Sequence, residues 1–475
     1  MSHYSNLQNL QKNFSKGTIS CLDVVNNFIE KIEKKKNLNV FLEVFSKEAI
    51  DLAKKIDKKI KNNSAGKLAG LVIGIKDNIC YKDHFVTASS KILKNFQSKY
   101  SATVIERLLK HDAIIIGRIN CDEFAMGSTN KNSAYGLVKN PLNTELTPGG
   151  SSGGCAAAVS ANLCHVALGS DTGGSIRQPA AFCDVIGLKP TYGMVSRHGL
   201  VAYASSFDQI GPIGKSIHDI DKVMEVMLGR DDFDSTCVFS KSDYKKDFSI
   251  PKKMSISVIK DAVHHESLHK DVRTSFSNLL EKLKDLGHDI KYIDMPILKY
   301  LVPAYYILTT AEASSNLARY DGIRYGYSER SKKKNWDELI KKTRAKGFGK
   351  EVKRRILLGT FVLSEGYYDN YYSKAQKVRR LVKEQTNKIL QSSDFILLPT
   401  SPTVPFKLNK KHKDPTILYL QDVFTVQANL SGNPCLSIPI SKYKNDAPVG
   451  AQLLGKKTND RELLAIGNYI LKNYV

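Results

Sequence analysis

The segment from Pro148 to Pro179 reads PGGSSGGCAAAVSANLCHVALGSDTGGSIRQP, two serine-bearing glycine clusters joined by a run of small residues. Glycine has no Cβ, so clusters of this kind let the main chain approach a ligand or another backbone closely. The stretch Cys155 to Leu163 is rich in alanine, which predicts a helix packed tightly against its surroundings and not a linker. Thr172, Gly173, Gly174 and Ser175 then offer successive backbone N–H groups, the arrangement that forms an oxyanion hole in acyl transfer. A serine at the end of that row can attack the carbonyl whose oxygen the row holds.

A serine hydroxyl needs a base within hydrogen-bond reach before it becomes a useful nucleophile. Lys76 is the candidate. It follows the apolar run Leu71 to Ile75, so a strand can carry it into a desolvated pocket where burial favours the neutral amine. Such a Ser-Lys arrangement requires no histidine. Gly150 to Gly154 also satisfies G-x-S-x-G, but that elbow follows a strand, Asn143 to Pro148 is not one, and its late histidine partner would have to be His412 inside a lysine run. No G-x-x-x-x-G-K-[ST] phosphate loop is present. Taken singly, Lys76 reads as a strand-end surface lysine and Ser151 and Ser175 as turn serines; the two clusters together reverse that reading. Asp171 and Arg177 read as residues that organise the loop.

Around this segment the first 65 residues read as a helical lead-in, with Leu22, Val25, Phe28 and Ile29 at helical spacing after a cap at Ser20. Short apolar runs at Leu71 to Ile75 and Ala113 to Ile116 alternate with helical stretches such as Val104 to Leu109, which predicts a sheet covered by helices. Val272, Phe276, Leu279, Leu280, Leu283 and Leu286 form one apolar helical stripe. Strand-like runs return at Phe395 to Leu398, Cys435 to Ile440 and Val449 to Leu454, before a closing helix around Glu462 to Leu471. Strands from both ends can therefore share one sheet. The lysine-rich segments near 332 and 410 read as surface loops, and no repeat or linker divides the chain. The expectation is one domain over 1–475, with a lead-in at 1–65, a chemical core at 66–220 and the remaining sheet and helices at 221–475.

A hydrophobic content of 42% with 25% charged residues fits ordered structure. The net charge of +24 would favour acidic partners such as nucleic acid, but Lys34 to Lys36, Lys332 to Lys334 and Lys410 to Lys411 lack the interleaved aromatics of a base-stacking surface, and lysines that simply solvate the surface are the favoured reading. The eight cysteines are scattered without a C-x-x-C pair, as expected of free thiols in a reducing cytoplasm. No apolar run approaches the roughly 20 residues of a membrane span. A soluble cytoplasmic protein is expected.

The pattern GGSSGG at Gly149 to Gly154, followed by GxDxGGSIRxP at Gly169 to Pro179, resembles the amidase signature family. The resemblance implies an α/β fold with a large mixed β-sheet covered by helices on both faces. It also implies a catalytic triad of Ser175 as nucleophile, Ser151 as bridging serine in a cis peptide and Lys76 as base. Within the family, DEFAMGSTN (Asp122 to Asn130), RYDGIRYGY (Arg319 to Tyr327) and GFGKEVKRRI (Gly347 to Ile356) are similar to the members that hydrolyse glutamine for tRNA-dependent amidation. For those, the resemblance implies that Arg355 grips the substrate carboxylate and Asp422 its amino group, with Tyr306 assisting. It further implies a heterotrimer with two partners, one larger, tRNA-binding and kinase-like, the other small and placed at the interface. Glu-tRNA(Gln) would be handled mainly by the larger partner, with Asp-tRNA(Asn) as a second acceptor in some organisms. No ATP loop or metal-ligand cluster occurs in this sequence, so ATP and Mg²⁺ belong to the partner. A stand-alone amidase acting on another small carboxamide and a catalytically idle tRNA-binding scaffold are the competing readings.

Overall fold

The short apolar runs become strands because their β-branched and leucine side chains fit a pleated surface buried on both sides. In the computed structural model, which describes residues 6–244, 248–329, 335–409, 416–441 and 447–474, these strands are β1 (Phe41–Val44), β2 (Val72–Lys76), β3 (Ile114–Ile119), β4 (Val166–Asp171), β5 (Ile186–Lys189), β6 (Gln209–Gly214), β7 (Ser255–Ile259), β8 (Asp289–Ile293), β9 (Phe395–Pro399), β10 (Cys435–Pro439) and β11 (Gly450–Gly455). They form a single 11-stranded sheet in the order β1-β3-β2-β4-β6-β5-β10-β11-β9-β7-β8. Strand β2 runs parallel to both β3 and β4, and β7 parallel to β8 and β9. The central pairs β4/β6, β6/β5, β5/β10, β10/β11 and β11/β9 are antiparallel. Strands from both ends of the chain thus share one mixed sheet, as their texture predicts.

Alternation along the strands sends side chains to opposite faces. Ile73, Ile75, Val166 and Leu168 join one apolar cluster, and Val72, Ile114, Ile116 and Ala167 the other. The first cluster is covered by helices Thr103–Lys110, Ile217–Met227 and Lys270–Asp285, the second by Cys21–Lys34, Ser46–Lys61 and Gly153–Ser160. Ser20 caps the Cys21–Lys34 helix in a reciprocal pairing with Asp23, which satisfies two backbone donors at once.

The lead-in is not purely helical. Residues Phe41–Val44 form the edge strand β1, antiparallel to β3 with a register shift between Phe41 and Glu43. Four half-buried residues between two helices carry too few alternations to register as a strand, and a short, irregular edge of this kind is how sheets end without inviting further pairing. Lys332 to Lys334, Lys410, Lys411 and His412 lie outside the described residues. All eight cysteines are buried and free, and among the described residues no helix is long and apolar enough to cross a membrane.

Candidate active site

Neighbouring parallel strands point the same way, so β2 and β4 deliver their C-terminal residues to one edge of the sheet. Lys76 ends β2, and Ser170 and Asp171 end β4 before the Thr172–Ser175 turn. Into the same space comes the start of the Gly153–Ser160 helix, preceded by Ser151 and Ser152. This helix is short and made of small residues because its backbone lies against β2, β3 and β4; a Cβ on Gly154 would sit 2.1 Å from the Asn120 carbonyl oxygen.

Lys76 is fully buried, and its Nζ lies 2.8 Å from Ser151 Oγ and 2.9 Å from both Ser152 Oγ and Ser170 Oγ. No carboxylate comes within ion-pairing distance of Nζ among the described residues. Burial therefore pulls the ammonium below the ordinary lysine range, against the more distant charges of Asp122 and Asp171. The Gly150–Ser151 peptide is cis. Ser152 N–H donates to the Ser175 carbonyl at 3.0 Å, which ties the serine pair to the second cluster. Ser175 is 9% exposed, and among the described residues no hydrogen bond engages its hydroxyl.

In the Thr172–Ser175 row, Gly174 departs from the sequence expectation. Its N–H donates to Asp171 Oδ1 at 2.9 Å, so it is not available to a ligand. The N–H groups of Thr172, Gly173 and Ser175 have no protein acceptor among the described residues. Both glycines are required by the close approach of other elements: a Cβ on Gly173 would lie 2.4 Å from the Tyr305 ring, and Gly174, at φ +131°, would drive one to 2.4 Å from Thr425 Oγ1.

Asp171 and Arg177 organise the loop. The carboxylate pairs with the guanidinium at 3.1 Å through both Nε and Nη2, and also accepts from Gly174 N–H, Ile176 N–H and Asn429. Arg177 reaches Thr425, Gln452 and Asn429 as well. Burial alone would raise the Asp171 pKa, but the Arg177 charge and these donors outweigh it and hold it at about 2. Arg177→Met leaves this buried carboxylate unpaired and is expected to lower stability by about 3–5 kcal/mol, measured by urea unfolding at pH 7. Because the folded-state pKa is depressed, Asp171 stabilises the fold above its ordinary range near 3.8 and loses that contribution as the pH falls toward 2. The wild type should show that acid-dependent loss and the variant should not.

A second group faces the same region. Helix Lys350–Val362 turns Val352, Arg355, Gly359 and Val362 inward, a helical spacing. Arg355 is 4% exposed, whereas the side chain of its neighbour Arg354 is 46% exposed and pairs with Glu351. Arg355 donates through Nε to Glu351 at 2.8 Å and through Nη1 to the Tyr203 hydroxyl at 2.7 Å, leaving Nη2 without a protein acceptor among the described residues. Its guanidinium lies over the rings of Tyr203, Tyr306 and Tyr419 at 5.4, 5.2 and 5.6 Å. Tyr306 donates its hydroxyl to Asp422 Oδ2 at 2.7 Å, and one tyrosine therefore touches both the cation and the anion. Burial pushes the Asp422 carboxyl up to about 7, opposed by the Tyr306 hydrogen bond and the Arg355 charge. Asp422 adjoins the glycine row through Thr425, whose hydroxyl bonds both the Asp422 and Gly173 carbonyls.

Several residues here are given no role by the sequence. Asp208 accepts from Thr172 Oγ1 at 2.6 Å and from the N–H groups of Tyr203 and Ala204, joining the glycine row to the tyrosine that meets Arg355. Glu351 accepts from Arg355 and from the Tyr419 hydroxyl at 3.0 Å. Ser152 and Ser170 lie inside the glycine-rich segment, and only their position beside Ser151 and Asp171 marks them.

Comparison with known proteins shows what the chain as a whole resembles. Residues 23–464 match the family model described as Amidase. The chain is 47% identical over 477 residues to the glutamyl-tRNA(Gln) amidotransferase A-subunit of Chlorobium phaeobacteroides (strain DSM 266), covering 100% of each chain. It is 46% identical to the protein of the same name from Legionella pneumophila (strain Paris), covering 99% of this chain and 97% of that one. The crystal structure of the Thermotoga maritima glutamyl-tRNA(Gln) amidotransferase A-subunit is similar with a TM-score of 0.76 at 37% identity, over 95% of this chain and 93% of that one. A crystal structure of an amidase reaches a TM-score of 0.83 at 25% identity, over 99% and 100% of the two chains.

Proposed function

This chain belongs to the amidase family, and we propose that within it the protein is the glutamine-hydrolysing component of a glutamyl-tRNA(Gln) amidotransferase. The observation that carries the substrate is the pairing of Arg355 and Asp422 on Tyr306, beside the Lys76 and serine centre. Free glutamine presents a carboxylate and an ammonium at one end and a neutral amide at the other. A buried cation and a buried anion next to a nucleophile match that charge pattern, and a neutral amide uses neither.

Neutral Lys76 accepts a proton from Ser151 as Ser151 accepts one from Ser175, whose oxygen attacks the glutamine Cδ. The oxyanion is held by N–H groups of the Thr172–Ser175 row other than that of Gly174. As the tetrahedral intermediate collapses, the C–N bond breaks, the leaving nitrogen takes the proton back, and ammonia departs from a γ-glutamyl ester on Ser175. Water hydrolyses the ester by the same relay and releases glutamate. Ammonia passes to a larger tRNA-binding, kinase-like partner, which uses ATP and Mg²⁺ to amidate Glu-tRNA(Gln), with a small third chain completing a cytoplasmic heterotrimer.

Arg355→Ala and Asp422→Ala are each expected to raise KM for glutamine roughly 10- to 100-fold, the worth of one charged hydrogen bond, with little change for butanamide. Equal effects on both substrates would contradict the assignment. The same logic gives a pH dependence. Asp422 must be ionised to hold the substrate ammonium, and its carboxyl titrates at about 7. KM for glutamine should therefore rise as the pH falls below about 7, while KM for butanamide stays flat. Steady-state kinetics with both amides across that range checks this.

A further inference from the structure

Tyr419 borders two cavities that differ in size and lining. One, of about 260 Å³, is lined largely by polar and charged residues, among them Arg355, Glu351, Ser128 and Thr129. The other, of about 900 Å³, is lined mainly by apolar side chains, among them Leu298, Val302, Pro303, Ile307, Leu358 and Val423. Tyr306 also faces the larger cavity. The Tyr306 and Tyr419 rings stack with centroids 4.1 Å apart and planes 24° apart, so Tyr419, which borders both spaces, forms the wall between them, with Tyr306 packed against it on the apolar side. A zwitterionic substrate held by Arg355 and Asp422 has no use for the larger cavity, which is large enough for a drug-sized apolar group.

The two rings are not equivalent. Both rings lie under Arg355, but Tyr306 alone also bonds Asp422, so its loss would damage the recognition pair itself. Tyr419 is held by its hydroxyl on Glu351 and by stacking, and makes no bond to Asp422 among the described residues. We infer that Tyr419 is a specificity-determining residue that confines the site to short polar amides, and that the apolar cavity behind it is a latent acyl pocket for primary carboxamides with aryl or alkyl chains. This rests on the amide-hydrolysing centre proposed above. The reaction is the same: the amide C–N bond breaks, Ser175 takes the acyl group, ammonia leaves, and water releases the carboxylic acid.

The probe is 4-phenylbutanamide, which keeps the chain of glutamine next to the amide and replaces the charged end with a phenyl ring. Ammonia release is measured for the full chain with its partners. Tyr419→Ala should raise kcat/KM for this amide roughly tenfold or more, the scale of discrimination by an apolar pocket, and lower it for glutamine. Tyr419→Phe keeps the wall and loses only the Glu351 hydrogen bond, so it should show no gain. Adding Val302→Trp, which puts a large ring into the cavity from another part of its lining, should return Tyr419→Ala to the wild-type level. If Tyr419→Ala does not fold, Tyr419→Val opens the same wall and carries the same expectation. A folded Tyr419→Ala or Tyr419→Val enzyme without the gain, a gain of equal size in Tyr419→Phe, or a gain that survives Val302→Trp would each overturn the inference. Failure of the wild type to release ammonia from glutamine would instead count against the glutaminase reading, whatever the variants do with the phenyl amide.

Discussion

Ser175→Ala is expected to give a folded protein that releases no ammonia from glutamine above background, a loss of about 10⁶ in kcat, the scale seen where nucleophile and base act as a unit. The fold should barely notice. The Ser175 hydroxyl makes no hydrogen bond among the described residues, and the contact that ties the two clusters together uses its carbonyl, which alanine retains. Thermal unfolding within a few degrees of wild type, together with unchanged assembly with partners, would separate loss of chemistry from loss of structure. The variant complex should still amidate Glu-tRNA(Gln) when ammonium chloride replaces glutamine, because the half-reaction proposed for the partner does not pass through Ser175. Wild-type glutamine hydrolysis by Ser175→Ala would end the acyl-enzyme account.

Substitution of Lys76 should have the next largest effect, about 10²- to 10⁴-fold in kcat for a general base, and its character matters as much as its size. Burial favours the neutral amine, pulling the titration below the ordinary lysine range. The rate should therefore climb with pH as Lys76 loses its proton and level off once it is neutral. Lys76→Ala should remove that acidic limb along with most activity. Lys76→Arg keeps a cation beside Ser151, Ser152 and Ser170 but cannot deprotonate in a protein, so it should stay inactive at every pH. An arginine variant with substantial activity would show that Lys76 acts as a fixed charge and not as a base.

How much of this can be read from the chain differs from one residue to the next. The two glycine clusters are legible because close backbone approach demands glycine at fixed positions, and Gly173 and Gly174 do sit against Tyr305 and Thr425. Lys76 is legible only as the residue after an apolar run; what makes it unusual is that β2 lies beside β4, a pairing between strands far apart in sequence. The sheet is foreseeable at the runs that become β2, β3, β9, β10 and β11, including the union of both chain ends, but not at β1, whose four residues carry too little alternation, nor at β5 to β8, which no run named in the sequence marks. Asp208, Tyr203 and Tyr419 leave no trace, and Glu351 is visible only as a member of the GFGKEVKRRI segment with no role of its own, since ordinary residues gain meaning only from what the fold sets opposite them. The commitment of the Gly174 N–H to Asp171 is of the same kind: a row of possible donors can be read from sequence, but which of them is already taken depends on where one carboxylate turns.

Central to the proposed mechanism is a γ-glutamyl ester on Ser175. Rapid acid quench of the complex during glutamine turnover, followed by proteolysis and mass spectrometry, tests it directly. The predicted result is a peptide containing Ser175 that carries the added mass of one γ-glutamyl group, present in the wild type and absent from Ser175→Ala. The same adduct on another residue, or its presence in the Ser175→Ala protein, would contradict it.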